Sequence, residues 1–239
     1  MSLPKPFYQR GGATIYHGDA LALLPLIEAR SVPACVVDPP YGVAFEGKAH
    51  KFRTADGGYC DFADGDADWM CLVPPAVAQL RRIAPAVVIT TGVEHAFDYP
   101  RPDWIGTIYY PSGSGMCRWG FTCADLLFYY GRDPYLARGL GSRPNSLSST
   151  EHAERTDHPC PKPVGTMAWL IERVALEGET VLDCFLGSGT TAVAAIRTGR
   201  KCIGIELSEP YCEIAARRLD RELDQPTLPI HKTTQGHLL

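Results

Sequence analysis

The stretch Val181-Leu182-Asp183-Cys184-Phe185-Leu186-Gly187-Ser188-Gly189-Thr190 decides the fold class. It reads as a buried strand over Thr180–Cys184, a Gly-Ser-Gly turn, and the start of a helix over Thr190–Thr198. Glycines allow a sharp turn and let a ligand approach where a Cβ would collide. A second strand, Lys201–Ile205, follows and delivers Glu206, a carboxylate suited to accept hydrogen bonds from a ribose diol. No lysine follows the second glycine, which excludes a Walker-type phosphate loop.

The same alternation extends outward. Val164–Glu177 has one apolar stripe and reads as a helix closed by Gly178, and Pro210–Leu223 reads as another. Towards the N-terminus, Ala13–His17 reads as a strand and Ala20–Arg30 as a helix with Asp19 as its N-cap. Ala34–Val37 is a short apolar run of the kind a doubly buried strand shows. A helix is expected from Trp69 or Pro74 to Arg82, followed by strand Ala86–Thr90. Ile105–Tyr110 and Leu126–Tyr130 read as two strands joined across a glycine-rich connection. Trp104, Tyr109, Tyr110, Phe128, Tyr129 and Tyr130 read as sheet core. Residues 44–68 and 132–157 have no period and read as variable loops, and 224–239 as a flexible tail. Strands alternating with helices in this way mean an α/β fold, a mostly parallel sheet with helices on both faces, in one domain over residues 1–223.

Composition narrows the function. A chain of 239 residues with 45% hydrophobic side chains can bury a sizeable core. No apolar stretch is long enough to span a membrane and the opening residues carry no apolar signal core, so a cytoplasmic protein is expected. The net charge of −4 sets up no global attraction for nucleic acid, so any phosphate contact must come from a local patch. The 9 cysteines include no C-x-x-C pair, so reduced thiols are expected and no metal site. Asp64-Gly65-Asp66-Ala67-Asp68 lacks the glycine and the bidentate glutamate of a calcium loop and reads as a helix-capping acidic turn.

The second informative stretch is Asp38-Pro39-Pro40-Tyr41, which ends the buried strand Ala34–Val37 at the edge where open α/β sheets hold ligands. Consecutive prolines fix φ and remove two backbone donors. The Asp38 carboxylate and the carbonyls of Asp38 and Pro39 then form an acceptor-only cup beside an aromatic ring. Such a cup suits a planar group carrying an amino donor. The glycine turn alone fits either a dinucleotide or S-adenosylmethionine.

Taken together, these motifs resemble the amino-group DNA methyltransferases, in the permuted arrangement that places the Asp-Pro-Pro-Tyr signature before the Phe-x-Gly-x-Gly cofactor loop. Asp38–Tyr41 matches the catalytic signature, Asp183–Thr190 the cofactor loop, and Gly204-Ile205-Glu206 the ribose-binding strand end. His158-Pro159-Cys160-Pro161-Lys162-Pro163 resembles the His-Pro-x-x-Lys-Pro segment before the cofactor helix, and Gly18-Asp19 the acidic segment before the catalytic strand.

The resemblance implies the Rossmann-like S-adenosylmethionine-dependent methyltransferase fold with a seven-stranded sheet, in which Ile105–Tyr110 and Leu126–Tyr130 form the terminal hairpin. It implies Asp38, Pro39, Pro40 and Tyr41 as catalytic residues. The cofactor residues it implies are Asp19, Lys162, Pro163, Asp183, Phe185, Gly187, Ser188, Gly189, Thr190 and Glu206. Double-stranded DNA is the implied partner, and a prokaryotic or phage origin is implied. A homodimer is compatible with this reading. Lys48, Lys51 and Arg53 in the first variable loop, with Arg118, Arg132, Arg138 and Arg143, are the candidate phosphate contacts.

The implied reaction is methyl transfer to N6 of a flipped-out adenine, since Asp opening the signature favours adenine over cytosine N4 in this family. N4-cytosine methylation stays open, as do an RNA or protein-amide methyltransferase, a dinucleotide-dependent oxidoreductase using Gly187–Ala192, and a non-enzymatic DNA-binding module.

Overall fold

A computed structural model describes residues 2–41, 66–113, 115–117, 119–151 and 162–225 of the chain. In chain order the strands are β1 (Tyr8–Arg10), β2 (Ala13–His17), β3 (Ala34–Val37), β4 (Ala86–Thr91), β5 (Trp104–Tyr109), β6 (Gly115–Cys117), β7 (Gly120–Thr122), β8 (Ala124–Gly131), β9 (Leu147–Ser148), β10 (Thr180–Asp183) and β11 (Lys201–Glu206). The helices are α1 (Ala20–Leu23), α2 (Asp66–Ile83), α3 (Val164–Val174), α4 (Thr190–Arg197) and α5 (Glu209–Asp224).

One 9-stranded sheet runs β1-β2-β11-β10-β3-β4-β8-β5-β9, and β6 and β7 pair as a separate hairpin. Strands β2, β11, β10, β3 and β4 are mutually parallel, whereas β8 lies antiparallel between β4 and β5. The expected seven strands are β2, β11, β10, β3, β4, β8 and β5. The two additional ones are β1, paired antiparallel to β2, and the two-residue β9, which joins β5. Both are too short and too polar to carry a period. The β5–β8 pair is therefore not terminal.

Helices α3, α4 and α5 pack one face of the sheet, through residues such as Met167, Ile171, Val193 and Ala215. Helices α1 and α2 cover the other, through Leu23, Val73, Val77 and Leu80. All four residues of β3 are buried, as its unbroken apolar run requires.

Three helix boundaries differ from the sequence reading. The first helix stops at Leu23 and passes into a 3₁₀ turn over Leu24–Leu26, because Pro25 lacks the N–H that α-helical continuation needs. Helix α2 begins at Asp66, with Pro74 and Pro75 in its interior rather than at its start. The buried Trp69 fixes its first turns, with its ring stacked on His95 and its Nε1–H bonded to the Pro40 carbonyl at 3.0 Å. Helix α3 ends at Val174, where Ala175 turns extended, three residues short of Glu177. Trp104 and Tyr109 are exposed rather than core, since β5 lies near a sheet edge where the helical layers no longer cover it.

The connectivity creates a switch point. From β3 the chain proceeds through α2 to β4 on one side, and from β10 through α4 to β11 on the other. Because β3 and β10 are parallel neighbours, Asp38 and Phe185 leave the same edge of the sheet side by side. Crevices of this kind are where open α/β sheets bind ligands. Among the described residues no helix is long and apolar enough to cross a membrane.

Candidate active site

Asp38 is held by its neighbours on one side only. Its Oδ1 accepts the Tyr41 hydroxyl at 3.0 Å and the Thr90 hydroxyl from β4, with the Lys162 ammonium 3.5 Å away. Its Oδ2 has no hydrogen-bond partner among the described residues, and the side chain stays 25% exposed. The turn is anchored from behind, where Trp69 takes the Pro40 carbonyl. The carbonyls of Asp38 and Pro39 stay available as acceptors, since proline removes the donors that would otherwise compete.

Tyr41 packs against Gly92 at the end of β4, where an added Cβ would come within 3.1 Å of the ring. Burial, reinforced by the Asp38 carboxylate, pushes the Tyr41 hydroxyl well above its ordinary 10.0, so it remains a proton donor.

The structure adds two residues to this cup. Lys162, implied by resemblance as a cofactor residue, donates from Nζ to the Tyr41 hydroxyl at 2.6 Å and to Asp125 Oδ2 at 2.9 Å. Asp125 is a buried carboxylate near the start of β8 that also accepts the Tyr110 hydroxyl at 3.4 Å. Burial alone would favour neutral Lys162, but Asp38, Tyr41 and Asp125 together hold its pKa well above 10.5, so it is an ammonium. In sequence Asp125 is the sole charge in a strand of apolar and aromatic residues, Ala124–Gly131, and that mismatch was the one available signal. Thr90 and Gly92 carried none.

The glycine turn adjoins the cup. Asp183 Oδ1 accepts the Phe185 amide at 3.0 Å, and its carboxylate also takes the Thr191 hydroxyl. Burial, with a contribution from the nearby charges of Asp38 and Glu206, raises the Asp183 carboxyl to about 7. Glu206 Oε2 accepts the Gly187 amide at 2.7 Å and Oε1 the Ser208 amide at 2.8 Å, which leaves each oxygen a further lone pair. Burial pushes its pKa up as well.

Gly189 is left-handed with φ 85°, and an added Cβ would lie 2.7 Å from the Ala215 Cβ. The packing of α4 on α5 therefore requires a glycine here. Arg218 of α5 ties the turn down, donating from Nη1 to the Ser188 carbonyl at 2.7 Å and to the Thr190 hydroxyl at 3.1 Å. Asp19 caps α1 by accepting the Leu21 amide at 2.9 Å, and Pro163 occupies the N-cap position of α3.

The cationic candidates separate from the cup. Strand β8 runs antiparallel to β4, so Arg132, just past its end, lies at the opposite edge of the sheet. Arg138 pairs there with Glu179, which immediately precedes β10, at 2.6 Å. The Arg143 guanidinium stacks on the Tyr135 ring at 3.8 Å and reaches the Glu172 carbonyl near the end of α3. As a set these arginines do not flank the candidate site. Lys48, Lys51, Arg53 and Arg118 lie outside the described residues, as do residues 44–65 of the first variable loop, 152–157 of the second and 226–239. The hairpin of β6 and β7 does leave from the cup's edge, with Trp119 and Phe121 exposed. Among the described residues no cluster of His, Cys, Asp and Glu could hold a metal, and Cys35, Cys71, Cys123, Cys184, Cys202 and Cys212 are free.

A family model described as DNA methylase, the N6/N4 methyltransferases, matches residues 90–217, just over half of the chain. The chain belongs to the DNA methylase family. Type II methyltransferase M.ScaI of Streptomyces caespitosus is 27% identical over 92% of this chain and 86% of its own. DNA adenine methyltransferase YhdJ of Escherichia coli K12 is 26% identical over 87% of this chain and 82% of its own. Among solved structures, the PvuII DNA methyltransferase, described as cytosine-N4-specific, superposes with a TM-score of 0.61 at 16% identity, covering 92% of this chain and 93% of that one. The fold of this DNA methylase is thus that of the S-adenosylmethionine-dependent DNA methyltransferases.

Proposed function

We propose that this DNA methyltransferase transfers a methyl group to the exocyclic N6 of an adenine flipped out of double-stranded DNA, using the cup at Asp38–Tyr41. The observation that carries the proposal is the one-sided fixation of Asp38. Tyr41 and Thr90 saturate Oδ1, while Oδ2 and the turn carbonyls remain open beside the glycine turn.

S-adenosylmethionine is the methyl donor, and when bound it supplies an electrophilic methyl carbon on a sulfonium. The donor set fits it. Glu206 keeps lone pairs for a ribose diol, and the backbone of Phe185–Gly187 lines the switch-point crevice. The target nitrogen is a poor nucleophile because its lone pair is delocalised into the ring. Acceptors on both N–H bonds, the Asp38 carboxylate and a turn carbonyl, favour a pyramidal nitrogen and free that lone pair. As charge develops on nitrogen, the Asp38 carboxylate offsets it. The surplus N–H proton, already hydrogen-bonded to that carboxylate, leaves by it to solvent.

A stacked, paired base cannot present its amino group to this crevice, so the nucleotide must leave the duplex, at a cost of a few kcal/mol. Stacking on Tyr41 would return ~1–3 kcal/mol of that. The adenine reading is supported by Asp as the first residue of the signature and by the similarity, over 87% of this chain, to an adenine methyltransferase. The likeness to an N4-cytosine enzyme favours cytosine N4 as the second reading. Sequencing DNA from cells expressing the protein, with detection of modified bases, decides between them and yields the target. N6-methyladenine is expected. N4-methylcytosine alone would overturn the adenine assignment, and unmodified DNA from active protein would overturn both.

A further inference from the structure

The Asp38 cup contains one more charge pair than hydrogen bonding to an amino group requires. Lys162 bridges two carboxylates, at 3.5 Å from Asp38 and 2.9 Å from Asp125, and its third contact is the Tyr41 hydroxyl. We propose that Asp125 is a positioning residue for methyl transfer: it draws the Lys162 ammonium to its own side, so that Lys162 orients the Tyr41 hydroxyl towards Asp38 without cancelling the Asp38 charge. This rests on the reading that Asp38 receives the target amino group.

The hydrogen-bond directions support it. An ammonium only donates, so Tyr41 must accept from Lys162, and the Tyr41 proton is thereby aimed at Asp38 Oδ1. That arrangement occupies Oδ1 and leaves Oδ2 without a partner among the described residues. The charges give it a purpose. Asp38, Asp125 and Lys162 together carry a net single negative charge, which a nitrogen becoming cationic needs beside it. With Asp125 neutral, the ammonium has only Asp38 to pair with. The cup then sums to zero and the cation moves onto the acceptors that the target amino group requires. With Lys162 replaced by a neutral residue, the two carboxylates repel and share one proton, which occupies an acceptor oxygen that the target amino group requires.

The charge count predicts an order of activities that a packing role would not produce. Asp125→Asn is expected to lower kcat by about 10²-fold, and its affinity for S-adenosylmethionine stays near wild type. Lys162→Met lowers kcat too, and its pH profile shifts because a proton now enters the carboxylate pair. The double variant Asp125→Asn/Lys162→Met restores the single negative charge and is expected to exceed either single variant in kcat, by roughly tenfold over Asp125→Asn. The assay measures incorporation of labelled methyl groups into genomic DNA from a methylation-free bacterial strain, with cofactor binding titrated separately.

Additive losses in the double variant, wild-type kcat in Asp125→Asn, or a Lys162→Met defect confined to cofactor affinity would each overturn the proposal. If Asp125→Asn does not fold, the comparison of Lys162→Met with the double variant still decides. Asp38→Ala is assayed alongside: wild-type-like activity there would remove the cup's assignment itself, a result separable from absence of rescue.

Discussion

The glycine turn and the Asp38 cup leave adjacent strands at the same edge, yet they are built differently. The turn is held by backbone amides that donate to two carboxylates, with Arg218 of α5 bonded to Ser188 and Thr190. Asp183 receives Phe185, and Glu206 receives Gly187 and Ser208, so most of its partners lie within one strand-turn-helix unit and the next strand. The cup is held by side chains drawn from four separated places: Asp38–Tyr41 after β3, Thr90 and Gly92 at the end of β4, Asp125 in β8, and Lys162 before α3. A turn whose donors are backbone amides needs only its two carboxylates and Arg218 kept in place. A constellation of charged side chains needs every member, because each charge sets the position and the protonation of the next.

Breaking each region separately tests this contrast. The largest effect is expected from Asp38→Ala, which removes the acceptor and the charge together. Methyl transfer should fall at least ~10²–10³-fold, while S-adenosylmethionine affinity stays within a few-fold; loss of cofactor binding in that variant would show that the two regions are not separable. Glu206→Gln should do the converse, weakening cofactor binding by about tenfold with a smaller change in kcat at saturating cofactor, as read by titration calorimetry.

Next comes stability. Burial raises the Asp183 carboxyl to about 7, so the folded chain keeps a proton there that an unfolded chain releases near its ordinary 3.8. The resulting stabilisation is complete below that lower value and is lost as pH rises through about 7. A tenfold difference in proton affinity between the folded and unfolded chain is worth ~1.4 kcal/mol, so Asp183→Asn should visibly flatten the fall in melting temperature between those pH values. An unchanged slope would mean that Asp183 is ionised in the folded protein. The smallest effect is expected at the opposite edge. Replacing Arg132, Arg138 and Arg143 together by alanine should leave the salt dependence of DNA binding unchanged; a shallower slope would bring that edge into the interface.

The same contrast explains what could be read from the chain. The strand-glycine-helix unit was legible because hydrophobic run, glycines and acidic strand end are contiguous, and the boundaries of β10, α4 and β11 fall within a residue of those expected. Asp38–Tyr41 was legible as an acceptor turn because two prolines remove donors whatever surrounds them. Lys162 was legible only through its neighbours in sequence, and its contacts with Tyr41 and Asp125 appear only in space. The arginines of 132–143 were grouped by proximity along the chain, and the antiparallel course of β8 carries them to the far edge. Strands β1 and β9 were missed because two or three residues carry no period.

By itself, then, the sequence determined the α/β class, the order of the long elements, and the two turns that end β3 and β10, because these depend on local periodicity and on the covalent limits of glycine and proline. Only the tertiary structure decided that β3 and β10 lie side by side, that Gly189 answers to Ala215, and that Asp125 and Lys162 share a cup with Asp38. Strand order and through-space electrostatics depend on partners far apart in the chain, and no spacing along it records them.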